Sequence, residues 1–280
     1  MILGLDFGLT NLDGALGQDG GLLRGWRQLT QGPASELVLR QALDTGGVNL
    51  HDLTAIGTTG GRHKDLPSSI EGVPIRPIGE AQSVGRGGLA LSGLESALVV
   101  SAGTGTSMIS ARKLEAGYEF KHVTGSAVGG GTLLGLGKLL LGTSDPLEIG
   151  ELASRGDPAG VDSTLVDVIG GGIGHLPADA TAVNLGRLAK LETAPSREDL
   201  AAGLVTLVSQ VIAVIALNAA AANNLERIVI VGHLPDLEPI RTAIRRVWGF
   251  YGVPKPAIFP ENAGFATALG AALEAGETLK

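Results

Sequence analysis

Apolar runs broken by small-residue turns dominate the first half of the chain, and apolar helical segments dominate the second. Residues 1–7 predict a buried strand, and Gly8-Leu9-Thr10-Asn11 predicts the turn of a hairpin that returns along residues 12–16. A further strand is expected at 22–28, a helix at 35–43 and a strand at 53–58 that runs out into Thr59-Gly60-Gly61-Arg62. A short strand at 75–78 precedes a helix from Gly79-Glu80 to about Leu91. The pattern then restarts. Residues 97–101 form an apolar strand ending in Ala102-Gly103-Thr104-Gly105-Thr106-Ser107, residues 108–112 return, and 117–123 pair next. Strand, turn and strand therefore occur twice, about 95 residues apart, an internal echo that predicts two related lobes facing each other.

The remainder is mainly helical, with helices expected at 131–141, 147–154, 199–223 and 237–248, strands at 227–231 and 257–259, and a last helix at 263–275. Strands alternating with helices imply an α/β fold with mixed sheets. No low-complexity linker is visible, so the lobes, residues 1–94 and 95–280, are expected to join at a tight hinge. Residues 204–222 are almost wholly apolar but carry Thr206, Ser209, Gln210 and Asn218. A membrane span needs about 20 uninterrupted apolar residues, so this segment reads as a core helix and no membrane partner is expected.

Composition narrows the chemistry. Hydrophobic residues make up 44% of the 280 and mean hydropathy is +0.28, so a well-filled core is expected. A net charge of −7 argues against a nucleic-acid partner, which would need a basic surface. Any anionic ligand must be met by local backbone donors and a metal. The absence of cysteine excludes disulfides, thiolate catalysis and zinc-thiolate sites. No basic region precedes the first apolar stretch, so it does not read as a signal peptide, and the cytoplasm is the default expectation.

Asp6 ends the first apolar run, where a carboxylate is costly unless a metal ion, water or hydrogen bonds compensate it. Gly8 lets backbone N–H groups approach an anion, and the Thr10 hydroxyl can join them. Gly103-Thr104-Gly105-Thr106-Ser107 is a second candidate phosphate cradle, or an ordinary glycine-rich turn. Gly129, Gly130 and Gly131 open a helix and either bind phosphate or let that helix pack closely. Glu80 either steadies the N-terminus of its helix or serves as a general base for a substrate hydroxyl. The strand at 227–231 ends in Gly232, an edge that admits a purine ring or simply a turn. The five histidines are scattered without metal-ligand spacing, and each reads individually as a surface or hydrogen-bonded residue.

With these segments in view, the chain resembles the type II, eukaryotic-like pantothenate kinases of the actin/hexokinase/Hsp70 ATPase superfamily. Gly4-Leu-Asp6-Phe-Gly8-Leu-Thr10 resembles the first phosphate motif, and Thr59-Gly60-Gly61 the turn before the catalytic helix. Glu80-Ala-Gln-Ser-Val-Gly-Arg-Gly87 matches the segment with the family's catalytic glutamate, and Ser101 to Ser107 the second phosphate motif. Gly129 to Leu136, Arg155 to Asp162, Arg227 to His233 and Gly264 to Ala271 match longer family signatures. The resemblance implies a two-lobed actin-like ATPase (ribonuclease H-like) fold with duplicated mixed sheets and a nucleotide cleft between them. It also implies ATP-dependent phosphorylation of the pantothenate 4′-hydroxyl, the first step of coenzyme A biosynthesis, by a homodimer joined through the helical lobe.

In that reading Asp6 positions Mg²⁺, and Gly8, Thr10, Gly103, Thr104, Gly105, Thr106, Gly129, Gly130 and Gly131 hold the phosphates of ATP. Gly232 borders adenine, Glu80 is the base, and Thr104, Ser107, His122 and Gly125 contact the substrate. Two departures stand out. Leu9 replaces the family's second glycine and Asp13 stands where a lysine is expected, which should weaken nucleotide binding unless Mg²⁺ compensates. His122 replaces a substrate arginine, and an imidazole lacks the five-donor fork of a guanidinium. These departures keep two alternatives open: a related kinase acting on pantetheine or a sugar, and a catalytically impaired protein that binds nucleotide or a coenzyme A ester.

Overall fold

The computed structural model describes all residues except Asp19, Gln31, Arg62, Pro254 and residues 278–280, so the end of the expected 59–62 turn lies outside the described residues. The first part of the chain contains β1 (Ile2–Phe7), β2 (Asn11–Gln18), β3 (Gly21–Leu29), α1 (Glu36–Gly46), β4 (Ala55–Gly60), β5 (Ser69–Ile70), β6 (Val73–Pro77) and α2 (Glu80–Ser92). The second contains β7 (Ser96–Ala102), β8 (Thr106–Leu114), β9 (Gly117–Ser126), α3 (Gly130–Leu141), α4 (Pro146–Arg155), β10 (Ser163–Thr164), α5 (Leu165–Ile169), β11 (Thr181–Val183), α6 (Arg197–Ala222), β12 (Ile228–Val231), α7 (Glu238–Phe250) and α8 (Ala266–Glu277).

The two main sheets repeat one topology. Strand order is β3-β2-β1-β4-β6-β5 in the first sheet and β12-β7-β8-β9 in the second. In each, an antiparallel meander is extended by a strand parallel to its first member, β4 beside β1 and β12 beside β7. The internal echo in the sequence is thus a duplicated fold unit. The strand expected at 257–259 shrinks to a single bridge between Val229 and Ile258. Pro256 and Pro260 flank it and remove the donors a longer ladder would need. The short elements β5, β10, β11 and α5 escape the periodicity because two to five residues carry too little pattern.

Local chemistry sets the helix ends. Ser35, Asp145 and Ser196 each accept a backbone N–H of the helix they open, and α4 starts with Pro146. α1 and α2 stop where Gly47 and Gly93 turn left-handed, at φ 56° and 67°.

The first sheet takes its strands from before α2 and the second from β7 onward, but the helices between them do not divide in this way. α2 packs on β7, β8 and β9, whereas α8 returns to pack on β1, β4 and α2. The crossing of α2 and α8 is close because both helices present glycine there. A Cβ on Gly87 would lie 1.7 Å from the Ala266 carbonyl oxygen, and one on Gly270 would lie 1.8 Å from that of Ser83. This contact locks the N-terminal turn of α2 to both sheets. α6 is long and apolar enough to cross a membrane by length and composition. Here its Leu204, Val208 and Ile212 are fully buried with Leu98, Ile240 and Ile244, in the core of the second lobe. The Trp248 indole of α7 donates to the Ala213 carbonyl of α6 at 3.1 Å.

Candidate active site

The two glycine turns meet across a cleft. The β1–β2 turn and the β7–β8 turn touch through the hydroxyls of Thr10 and Thr104, 3.3 Å apart. A cavity of about 480 Å³ opens beside this contact, within the usual range for small-molecule sites. Asp6, Gly8, Thr10, Gly103, Thr104, Gly130, Gly131 and Gly232, all expected at a nucleotide, line it.

One transverse row across the first sheet carries the charge of the site. Asp6 of β1 lies opposite Asp13 of β2, which lies opposite Arg27 of β3. Burial pushes the Asp6 carboxyl up to about 7, and the nearby charges of Asp13 and Glu80 push in the same direction. Glu80, the first residue of α2, is therefore within electrostatic reach of Asp6, and it is solvent-exposed. The helix that fixes Glu80 is the one clamped by α8.

The remaining expected residues have more specific geometry. The amides of Gly130 and Gly131 donate to the carbonyls of Gly103 and Thr104, both at 2.8 Å, so they brace the second turn and are not free for an anion. Gly129 is buried behind them, where a Cβ would sit 2.8 Å from Gly105 Cα. The Thr106 hydroxyl donates to the Val128 carbonyl at 2.9 Å, and the Gly105 carbonyl accepts from the Gly103 N–H at 3.0 Å. Gly105, Thr106 and Gly129 thus shape the cradle from behind.

Ser107, His122 and Gly125 lie outside the cavity wall, on β8 and β9. A register shift at Val123 places Gly125 opposite Ser107 and His122 opposite Ile109. His122 shares its strand face with Phe120 and Tyr118, which pack on Gly85 and Arg86 of α2, so it points towards the helix that starts at Glu80.

One functional residue escapes sequence reasoning. His233 follows Gly232 and places its Nε2 3.0 Å from Asp13 Oδ1 and its Nδ1 2.9 Å from Asp236 Oδ2. Burial works against its charge, but the two carboxylates prevail and raise its pKa to about 9. At neutral pH it is an imidazolium. The charge expected to need compensation at Asp13 is therefore met by the protein itself. Asp13 stands out in the sequence as a departure from the family pattern, but 220 positions separate it from His233 and no local pattern joins them.

Among the described residues, no three His, Asp or Glu side chains converge as a metal cage. Asp6 alone, its carboxylate held near 7 by burial and like charge, suits a magnesium ion that takes its other ligands from phosphate and water.

A family profile described as Fumble matches residues 96–274. A type II pantothenate kinase from Oceanobacillus iheyensis is 30% identical over 224 residues, covering 77% of this chain and 80% of that protein. A 4′-phosphopantetheine phosphatase from Mus musculus is 33% identical over 185 residues, which span 64% of this chain but only 22% of the mouse protein. Among solved structures, the activator of 2-hydroxyisocaproyl-CoA dehydratase from Clostridium difficile with bound ADPNP superposes at a TM-score of 0.66. It is 19% identical and the match covers 99% of this chain and 94% of that one. A ROK family glucokinase from Streptomyces griseus, in complex with glucose and AMPPNP, gives a TM-score of 0.59 at 17% identity, covering 99% of each chain. At these identities the two structures speak for the fold, an actin-like ATPase architecture.

Proposed function

The chain belongs to the Fumble family, the type II pantothenate kinases, and from that premise we propose that it transfers the γ-phosphoryl group of ATP to the 4′-hydroxyl of pantothenate. The observation that carries the reading is the convergence of three parts. Both glycine turns meet at Thr10 and Thr104, Asp6 lies beneath them, and Glu80 sits within reach of Asp6's charge. Phosphoryl transfer asks a protein mainly for positioning and charge neutralisation.

Gly8, Thr10, Gly103 and Thr104 hold the phosphates from the two turns, and Gly232 borders the adenine side. Glu80 accepts the hydroxyl proton as the alcohol oxygen bonds to the γ-phosphorus and the bond to the β,γ-bridging oxygen breaks, releasing ADP. Glu80 is solvent-exposed in the first turn of α2, where a substrate hydroxyl can approach it. Mg²⁺ held by Asp6 supplies neutralisation of phosphate charge. Ser107, His122 and Gly125 contact the pantothenate.

The protein acts in this reading as a cytoplasmic homodimer. Val166, Val168 and Ile169 of the second lobe are each about half exposed and offer an apolar contact. The pairing of Asp13 with His233 weakens the case for a catalytically impaired protein.

A coupled ADP-release assay over pantothenate, pantetheine and hexoses tests the substrate. A response to pantothenate is expected, and turnover of a hexose alone rules the reading out. Glu80→Gln should lower kcat by about 10²–10⁴-fold with nucleotide affinity nearly unchanged, as expected for loss of a general base. Unaltered turnover in that variant removes Glu80 from the mechanism.

A further inference from the structure

Four charged side chains form a relay between the two sheets. Asp13 comes from β2, His233 and Asp236 from the loop after β12, and Arg27 from β3. Asp13 binds His233, His233 binds Asp236, and Arg27 Nη2 approaches Asp236 Oδ2 at 3.8 Å while lying beside Asp13 in the sheet register. Acidic and basic side chains alternate along this relay. All four residues line the nucleotide cavity.

The ring at its centre is tightly seated. A Cβ on Gly264 would fall 2.0 Å from His233 Cε1, and Phe265 meets the ring edge-on at 5.7 Å between centroids. Both ring nitrogens are taken by carboxylates, so His233 has no N–H left for a phosphate oxygen. Its contribution to a nucleotide must be indirect.

We propose that Asp13 and His233 are positioning residues: with Asp236 and Arg27 they clasp the β1–β2 turn of one lobe to the Gly232 loop of the other and set the width of the nucleotide cavity. The clasp crosses between the sheets at a point where Thr10 and Thr104 make only a single hydroxyl contact. It also gives Asp13 a role opposite to that of the family's lysine. The carboxylate binds the facing lobe, and phosphate binding is left to the turns. The kinetic side of this inference rests on the kinase reading, whereas the clasp rests on the geometry.

The test compares Asp13→Asn, His233→Gln, the double variant and Asp13→Lys, each checked for a cooperative melting transition. Dissociation constants for a non-hydrolysable ATP analogue are measured by calorimetry, and KM and kcat by ADP release with pantothenate. Each single variant should weaken analogue binding and raise KM for ATP by about tenfold, with kcat within about threefold. The double variant should be no worse than the weaker-binding single variant, because partners in one network do not add. Asp13→Lys, which sets an ammonium against the imidazolium, should bind the analogue most weakly. Tighter binding by Asp13→Lys overturns the proposal, since Asp13 would then face phosphate. So do additive effects of the two single changes. If the wild-type protein binds the analogue but does not phosphorylate pantothenate, the substrate reading fails, and the binding comparison still decides the clasp.

Discussion

The β1–β2–β3 meander and the β7–β8–β9 meander share a topology but not a chemistry. At the level of the cleft the first sheet presents Asp6, Asp13 and Arg27 in one row, and the corresponding row of the second presents Ser101, Ser107 and Gly125. One half of the duplication supplies charge and the other neutral donors and room. A triphosphate gripped from two sides needs that division, because a second acidic row would repel it and a second row of bulk would fill its space. The same backbone can serve both purposes because a hairpin fixes where residues sit and leaves their chemistry free.

The largest expected effect comes from emptying the charged row. In the proposed roles, Asp6→Asn should lower kcat/KM by at least about 10²-fold, a modest loss for a charge proposed to face phosphate and metal. Full activity in that variant would make the charged row dispensable. Making the rows alike is expected to do less. Ser101→Asp introduces like charge at the cavity, and analogue affinity should fall by about 10–100-fold, measurable by calorimetry. An unchanged affinity would show that the neutral row does not face the phosphates.

The smallest effect is on stability against pH, and it separates the charged row from the imidazole that meets it from the other sheet. The Asp6 carboxyl is raised from 3.8 to about 7, so the folded protein holds its proton longer and stability falls as pH rises through that interval. His233 is raised from 6.5 to about 9, so its stabilisation is complete below 6.5 and lost as pH rises through 9. Melting temperature should fall in two consecutive windows, since each shift amounts to a few kcal/mol and each kcal/mol moves a chain of this size by roughly 2–4 °C. Asp6→Asn should flatten the lower window and His233→Gln the upper. A single window that responds to both would mean that Asp6 and His233 titrate as one unit.

Legibility in the sequence followed the range of the forces involved. β1, β2, β7 and β8, with the turns at Gly8 and Gly103, were readable because an apolar run stopped by glycine is a short-range signal. Glu80 was readable as a candidate because a helix N-terminus is local, but its electrostatic link to Asp6, many residues away, was not. Gly129, Gly130 and Gly131 allowed two readings. Tertiary contact decided that Gly130 and Gly131 spend their amides on the second turn, because the carbonyls they meet lie in another element. At residues 257–259 the apolar content suggested a strand, and flanking prolines limited it to a bridge.

The sequence alone determined the repeated strand–turn–strand unit, the longer elements and the two small-residue turns, since these depend on neighbours a few positions apart. Only the tertiary structure decided that α2 and α8 lie between the sheets, which residues share the cavity, and that Asp13 meets a cation. Charge acts through space, and the partner of a buried carboxylate is whichever group folding brings within about 3 Å, however far along the chain it lies.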